Sequence, residues 1–167
     1  DMVASHNFVR ESNTYLDFSR TMRVELTQRR PILRVASSDG AHFYLTDDGY
    51  IEPIVTGAAQ YVPIITGTLP LPFPNDFRGE LEKFVEDNEK KSDKNYLFLC
   101  KLINFVEYIE QIEFWSAQIV QINLTGGVQE SDGVAFKEPR VELVPRVGGH
   151  IIYLGTLDNY QSKLRKL

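Results

Sequence analysis

Three histidines and one cysteine are the side chains of this chain that could act as metal ligands or nucleophiles. His6, His42 and His150 lie in separate segments, and none of their spacings would place two metal ligands on one helical face. Cys100 has no histidine near it in the sequence, so a cysteine–histidine pair would need a partner brought from elsewhere by the fold. We predict that the histidines are surface or strand residues and that Cys100 is a buried, unreactive thiol.

Acidic pairs and glycine-rich motifs give no clearer sign of a reaction. Asp47 and Asp48 precede Gly49, a pattern that is more typical of a solvated turn than of an acid–base pair. Neither a Gly-x-Ser-x-Gly motif nor a glycine-rich phosphate loop with lysine is present. A further acidic set at helical spacing is typical of an exposed charged face: Glu107, Glu110 and Glu113. We therefore predict no catalytic residue, no metal site and no cofactor.

Length and composition restrict the class of protein. The 167 residues suffice for one domain, or for one domain and a fragment of a second. The formal net charge of −5 argues against binding to a nucleic-acid backbone. The uncharged run from Pro53 to Asn75 contains several prolines and glycines, so it predicts a turn, a short strand at 61–66 and a proline-rich loop instead of a membrane-spanning helix. Because the chain opens on Asp1 and shows no secretory signal, we expect the native N-terminus to lie further upstream.

Alternation of apolar and polar residues predicts several strands in the first part of the chain. Residues 22–29 alternate as a half-buried strand, and Pro31 predicts a kink or a change of sheet partner directly after it. Two further strands, 32–36 and 42–46, surround a turn-forming cluster at 38–40. A second turn at 46–49 ends on glycine, as type I turns prefer.

Two helices and a return to strand follow. The first helix carries Phe77, Leu81, Phe84 and Val85 on one face. The pair Ser92-Asp93 caps a second helix whose wide apolar face predicts burial against a sheet: Phe98, Leu99, Leu102, Ile103, Phe105, Val106 and Ile109. Residues 117–124 return to strand, and 125–139 predict a mobile hairpin loop. The order of elements predicts an α+β fold with an antiparallel (mixed) sheet and helices packed on one face.

The C-terminal stretch, 141–167, predicts a hairpin followed by the start of a helix. Its glycine pair at 148–149 fits a two-residue turn, which would fix the register of the hairpin: Val147 opposite His150, Pro145 opposite Ile152 and Leu143 opposite Leu154. Asp158 and Gln161 have the spacing of a helix-capping box. Because the apolar stripe of Tyr160 and Leu164 is unfinished at Leu167, we expect the native chain to continue.

Several blocks of the chain, in order from Gln28 to the C-terminus, resemble the FtsQ/DivIB family of bacterial cell-division proteins. Residues 28–35 (QRRPILRV) resemble the segment where one periplasmic domain of that family leads into the next. The turn ending at Gly49 and the block 62–67 (VPIITG) are similar to its D-x-x-G and hydrophobic-P-x-hydrophobic-x-G blocks. Thr46 replaces the usual Asp, and its hydroxyl can still cap a turn. Residues 141–147, 151–155 and 163–164 resemble the closing pattern of the family.

The resemblance implies a single-pass inner-membrane protein of the bacterial division site, with a POTRA domain and a β domain in the periplasm. On this interpretation residues 1–30 are the C-terminal remnant of a POTRA-like domain, and 31–167 are an FtsQ-type β domain lacking its last strand. In that family a last strand after the C-terminal helix recruits the coiled-coil division proteins FtsB and FtsL by strand addition to the sheet edge, so the principal partner-binding element would be absent from this chain. The protein would be a non-enzymatic divisome scaffold that supports septal peptidoglycan synthesis, anchored through a segment absent from this chain.

Part of a partner interface would lie on the terminal hairpin and helix. Val144, Ile151 and Tyr153 are apolar where a solvated sheet face would be polar, so they are either buried beneath helices or form an exposed contact face. Lys163 either complements the helix dipole or meets an acidic partner, with Leu164 beside it. These five are the predicted partner-binding residues.

Two other functions remain open at this point. One is an unrelated extracytoplasmic domain that binds a peptide or glycan. A pocket lined by the 70–74 loop and its aromatic neighbours would favour that function, whereas an open sheet edge near the C-terminus would favour the division scaffold. The other is an enzyme, which would require His42 or His150 to meet Cys100 or a carboxylate in space.

Overall fold

A computed structural model of the chain describes residues 7–57, 59–85, 92–131 and 133–167. Its strands are β1 (Val9–Leu16), β2 (Met22–Gln28), β3 (Pro31–Ser37), β4 (His42–Thr46), β5 (Tyr50–Glu52), β6 (Ile64–Gly67), β7 (Gly79–Glu80), β8 (Ile119–Thr125), β9 (Arg140–Pro145) and β10 (Ile152–Gly155). Its helices are α1 (Leu81–Val85), α2 (Lys94–Gln111), α3 (Glu113–Gln118) and α4 (Tyr160–Leu164).

The strands form two sheets. β1 and β2 make an antiparallel hairpin of their own, and the others form a mixed sheet in the order β10-β9-β8-β6-β3-β4-β5-β7. β6 pairs in parallel with β3 and with β8, whereas the other neighbours are antiparallel. The chain leaves the hairpin after Gln28 and enters the larger sheet at Pro31, which confirms the predicted change of sheet partner.

α2 covers one face of the larger sheet. The carboxylate of Asp93 caps this helix by accepting hydrogen bonds from the backbone amides of Asn95 (2.7 Å) and Tyr96 (3.4 Å), as the sequence predicts. The apolar face of the helix and the inward side chains of the strands form one buried core, which includes Phe98, Leu99, Leu102, Phe105, Val106, Ile109, Val35, Phe43, Leu45, Ile65, Ile122 and Leu143. The predicted α+β class, with a mixed sheet and helices on one face, is confirmed.

The cap of α2 gives a direct test of how this helix is held. Replacing Asp93 with alanine leaves two backbone amides without their acceptor, so we expect the free energy of unfolding to fall by about 1 kcal/mol. Asp93→Asn keeps a side-chain oxygen and is the matched control. Urea unfolding followed by circular dichroism measures both, and an equal loss in both variants would contradict a capping role.

The proline-rich loop after β6 contributes to the core. Leu69, Leu71 and Phe73 are buried, and the ring of Phe73 lies 5.9 Å from the ring of Phe43. The apolar side chains of this loop therefore fill space between sheet and helices instead of lining a pocket. The short strand predicted at 61–66 begins only at Ile64.

The register predicted for the C-terminal hairpin is wrong. Residues 146–151 connect β9 and β10, and Leu143 pairs with Ile152. The backbone amide of Arg146 donates to the carbonyl oxygen of Gln118 at 2.6 Å, which holds the end of β9 beside the start of β8 and ends its pairing with β10 early. Because the partner of Leu143 moves by two residues, each side chain keeps its predicted face.

The predicted capping box near the C-terminus is also wrong. α4 begins after Asn159, which has a left-handed φ of 52° and makes no side-chain cap. The carboxylate of Asp158 instead lies 3.1 Å from the Nζ of Lys101 on α2. This ion pair joins residues that are far apart in the sequence, so local spacing gives no sign of it.

Several element boundaries differ from those predicted. The first helix begins at Leu81, because the residues before it form β7, and the side chain of Val85 lies outside the described part of the chain. α3 occupies the predicted start of β8. The 125–139 segment forms a hairpin loop with isolated bridges between Val128 and Lys137 and between Ser131 and Val134.

Candidate partner-binding surface

The face of the larger sheet that points away from α2 is open over β6, β8 and β9, whereas the residues of this face on β4 and β5, Tyr44 and Glu52, are buried. Its side chains alternate with the buried core residues along each strand, and those of the central strands are half-buried. Ile64 on β6, Gln121 on β8 and Val144 on β9 lie side by side in one row across this face. Side chains that stand side by side on one face of a sheet form a continuous surface.

Beside this row, polar side chains form a hydrogen-bonded ladder. The amide of Gln121 donates to the hydroxyl of Thr66 at 2.8 Å, and that hydroxyl donates to the side-chain oxygen of Asn123 at 3.0 Å. The amide of Asn123 in turn donates to a carboxylate oxygen of Glu142 at 2.9 Å. Because each member has a partner, the ladder gives the open face a fixed polar centre.

The ladder ends at β10, the edge strand of the sheet. Tyr153 pairs with Glu142 and is 77% exposed, and Ile151, which immediately precedes β10, is 46% exposed. Val144 on β9 is half-buried. We call these three apolar residues, Val144, Ile151 and Tyr153, the edge surface. Within the described residues no strand pairs with the outer side of β10, so its backbone groups can accept an added strand.

The other two predicted partner-binding residues lie on α4, where the structure gives them different surroundings. Leu164 is 3% exposed and belongs to the core. The ring of Tyr160 packs 5.1 Å from that of Phe105 on α2, which places α4 in the helical layer. The Nζ of Lys163 donates to the carbonyl oxygen of Thr156 at 2.7 Å. Leu164 and Lys163 therefore help to hold α4 in the helical layer.

Comparison with known families identifies the family of the region that contains this sheet. The family model described as "FtsQ/DivIB, C-terminal related" matches residues 30–167. The chain belongs to this FtsQ/DivIB-related family. A search of the curated proteins found no match. The resemblance to FtsQ/DivIB proteins that the sequence predicted is thus confirmed, and it indicates a role in cell division.

The matched region of this FtsQ/DivIB-related chain coincides with a structural boundary. It begins at Arg30, between the β1–β2 hairpin and the larger sheet. Within it, Thr46 occupies the position where the resembling block usually has Asp. Its hydroxyl accepts a hydrogen bond from the backbone amide of Tyr50 at 3.0 Å, so this turn is capped as expected.

FtsQ/DivIB proteins are non-enzymatic division proteins. In this member, the cysteine and the histidines of the described residues lie on separate elements of the fold. Cys100 is half-buried on α2, and burial raises the pKa of its thiol. His42 is exposed at the start of β4, and the Nδ1 of His150 lies 2.7 Å from the carbonyl oxygen of Gly148. His6 lies outside the described residues, among which no cluster of His, Cys, Asp and Glu could hold a metal ion.

Arginine side chains join the hairpin to the larger sheet, and the sequence gives little sign of these contacts. Arg29 forms an ion pair with Asp48 and stacks 3.9 Å from the centre of the Tyr50 ring. Arg10 on β1 lies 3.8 Å from Asp47. The acidic turn after β4 is therefore half-buried and anchors the hairpin, whereas its sequence predicted a solvated turn.

Glu52 is a second residue that the sequence does not single out. It is 2% exposed on β5, at a cleft of about 290 Å³ between hairpin and sheet, and its Oε1 has no hydrogen-bond partner in the described part of the chain. Burial raises the pKa of this carboxyl to about 7, with Arg29 opposing the shift and Asp48 adding to it. Strand alternation places Glu52 on the face expected to be polar, so only the packed hairpin explains its burial.

No helix in the described ranges combines the length and the hydropathy that crossing a bilayer requires.

Proposed function

We propose that this chain is the periplasmic part of a non-enzymatic division scaffold that binds FtsB/FtsL-type coiled-coil partners. In this role it would support assembly of the septal peptidoglycan synthesis complex at the inner membrane. Residues 1–30 would belong to a POTRA-like domain and 31–167 to an FtsQ-type β domain. Membership of the FtsQ/DivIB-related family supports the division role, and the exposed edge strand β10 supports the mode of binding.

The edge surface is the observation that carries the proposal. Strand addition supplies backbone hydrogen bonds, while neighbouring side chains give specificity. Tyr153 and Ile151 offer exposed apolar area directly beside the free edge. Aromatic residues of this kind contribute most to binding when a partner buries them. Lys163 and Leu164 would act by holding α4 in the helical layer.

The alternative of a peptide- or glycan-binding domain loses the feature that would have favoured it. A pocket at the 70–74 loop would have favoured that function, and Leu71 and Phe73 of this loop are instead buried in the core. The open edge at β10 is the feature that favoured the division scaffold. We therefore retain the scaffold as the proposed function.

Tyr153→Ala tests the proposal directly. The periplasmic coiled coil of FtsB and FtsL, from the same bacterium as this chain, is titrated into the wild-type chain and the variant by calorimetry. We expect the wild type to bind and the variant to bind about 30-fold more weakly, because a central aromatic residue is lost from the contact. Leu97→Ala, at an exposed position of α2 in the helical layer, is the matched control and should bind like the wild type.

Two outcomes would count against the proposal. A folded wild-type chain that fails to bind the coiled coil would refute the partner assignment. Binding that is equally strong in the Tyr153→Ala and Leu97→Ala variants would place the contact away from the edge surface.

A further inference from the structure

An apolar groove opens at one end of the larger sheet, between α2, α3 and the segment that leads into β6. It encloses about 600 Å³. Its floor is apolar and is formed by Ile32, Val106, Ile109 and Ile119, residues that also close this end of the core. A groove of this size with an apolar floor can bury a large side chain and remove its surface from water.

One cation at the rim of this groove has free hydrogen-bonding capacity. The Nε of Arg146 donates to the carbonyl oxygen of Ala117 at 3.1 Å, and its guanidinium lies 5.0 Å from the centre of the Tyr61 ring. These contacts hold the side chain at the groove, while its terminal nitrogens make no hydrogen bond or ion pair within the described residues. An arginine fixed in this way is a good receptor for a carboxylate.

The acidic residue at the same rim, Glu110, already has a cationic partner. Glu110 forms an ion pair with Arg30. Arg30 also contacts Asp47, at 3.3 Å. Arg146 is therefore the uncompensated charge at the groove, and the charge that complements it is negative.

The backbone beside the groove favours a peptide over another apolar anion. Tyr61 and Val62 make no main-chain hydrogen bonds within the described part of the chain, although Pro63 accepts one from Arg34 at 3.0 Å. Tyr61 is also 80% exposed. A peptide backbone can pair with these groups, whereas an acyl chain cannot.

We propose that this groove binds an extended peptide segment of a partner protein, which inserts one large apolar side chain and presents a neighbouring carboxylate to Arg146. None of the three edge-surface residues lines the groove, and the proposal goes beyond the proposed function. It stands or falls independently of FtsB/FtsL binding.

The test uses defined peptides and the whole chain. An acetylated and amidated peptide, Val-Phe-Glu-Val, is titrated into the ¹⁵N-labelled protein, and chemical shifts are followed by NMR. We expect saturable shifts at the amides of Val62, Ala117 and Ile119, with a Kd on the order of 1 mM. The peptide with Gln in place of Glu should bind about tenfold more weakly, because its side chain is neutral.

Variants of the rim separate the role of Arg146 from general effects of charge. Arg146→Gln should bind both peptides equally weakly, whereas Arg146→Lys should keep part of the preference for the Glu peptide. Arg165→Gln removes the same charge from an exposed position directly after α4 and is the matched control; it should keep the full preference. Ala117→Trp places a large side chain at the groove and should abolish the shifts in a folded protein.

Three results would overturn the proposal. The first is the absence of saturable shifts at the groove with the Glu peptide at about ten times the expected Kd. The second is equal binding of the Glu and Gln peptides by the wild type. The third is saturable binding of octanoate where neither peptide binds, which would identify the occupant as an acyl chain.

Discussion

Gly67→Ala is expected to lower the free energy of unfolding by at least about 3 kcal/mol, the largest effect of any small substitution that we expect in this sheet. Gly67 ends β6, where it pairs with Ser37 on β3 and Leu124 on β8. A Cβ atom at this position would lie 1.9 Å from the carbonyl oxygen of Leu124. Because that oxygen belongs to the backbone of a central strand, the clash can be relieved only by moving β6 away from β8. The measurement is urea unfolding followed by circular dichroism.

Gly126→Ala is the matched control for this prediction. Gly67 and Gly126 both have a positive φ, of 85° and 66°, so alanine is strained at either position. The Cβ of an alanine at position 126 would meet no atom within 4 Å, so this variant should lose only about 1 kcal/mol. The difference between the two variants isolates the close approach of the strands. Equal losses would show that backbone strain alone accounts for the glycine.

The same glycine explains one of the sequence blocks that resembled the FtsQ/DivIB family. The block 62–67 could be recognised from its order of residue types, but its physical reason lies in the parallel pairing of β6 with β8. That pairing joins residues more than fifty positions apart, such as Ile65 and Ile122, and no local pattern encodes it. Motif resemblance therefore singled out the block 62–67, whereas the contact between β6 and β8 was not predicted.

Local signals predicted the elements whose causes are local. The cap at Asp93 and the apolar stripe of α2 depend on residues within a few turns, and the structure has both. The exit from the hairpin at Pro31 depends on the missing amide of that proline, and it too was predicted. Elements of this kind are determined by short stretches of chain, so sequence reasoning is reliable for them.

The predictions that were wrong concern residues whose contacts are with parts of the chain far away in the sequence. Asp158 pairs with Lys101 instead of capping α4, and Arg146 bonds to Gln118 instead of continuing the hairpin. The candidate partner-binding surface likewise depends partly on contacts that local sequence does not encode. Exposure of Tyr153 at a sheet edge depends on strand order, which a single sequence does not reveal.

Glu52→Gln is expected to stabilise the protein at pH 8 by roughly 3 kcal/mol and to change its stability little below pH 4.5. The pKa of Glu52 is raised from an ordinary 4.5 to about 7 in the folded chain, chiefly by burial. Between these values the folded chain keeps a proton that the unfolded chain releases. Stability from this carboxyl is therefore fully present below the unfolded pKa and is lost as pH rises through the folded pKa. Glutamine has a similar shape and cannot ionise, so the variant escapes this loss.

The measurement that checks this is the difference in unfolding free energy between wild type and Glu52→Gln, taken from urea titrations between pH 4 and pH 8.5. Taking the difference cancels the contributions of other groups that behave alike in both proteins. Arg29 and Asp48, the charged groups that act on Glu52, remain paired with each other in the variant. Glu113→Gln, on the exposed surface of α3, controls for the loss of one negative charge. A free-energy difference that does not depend on pH would contradict the prediction, because it would mean that the carboxyl of Glu52 does not titrate between pH 4 and pH 8.5.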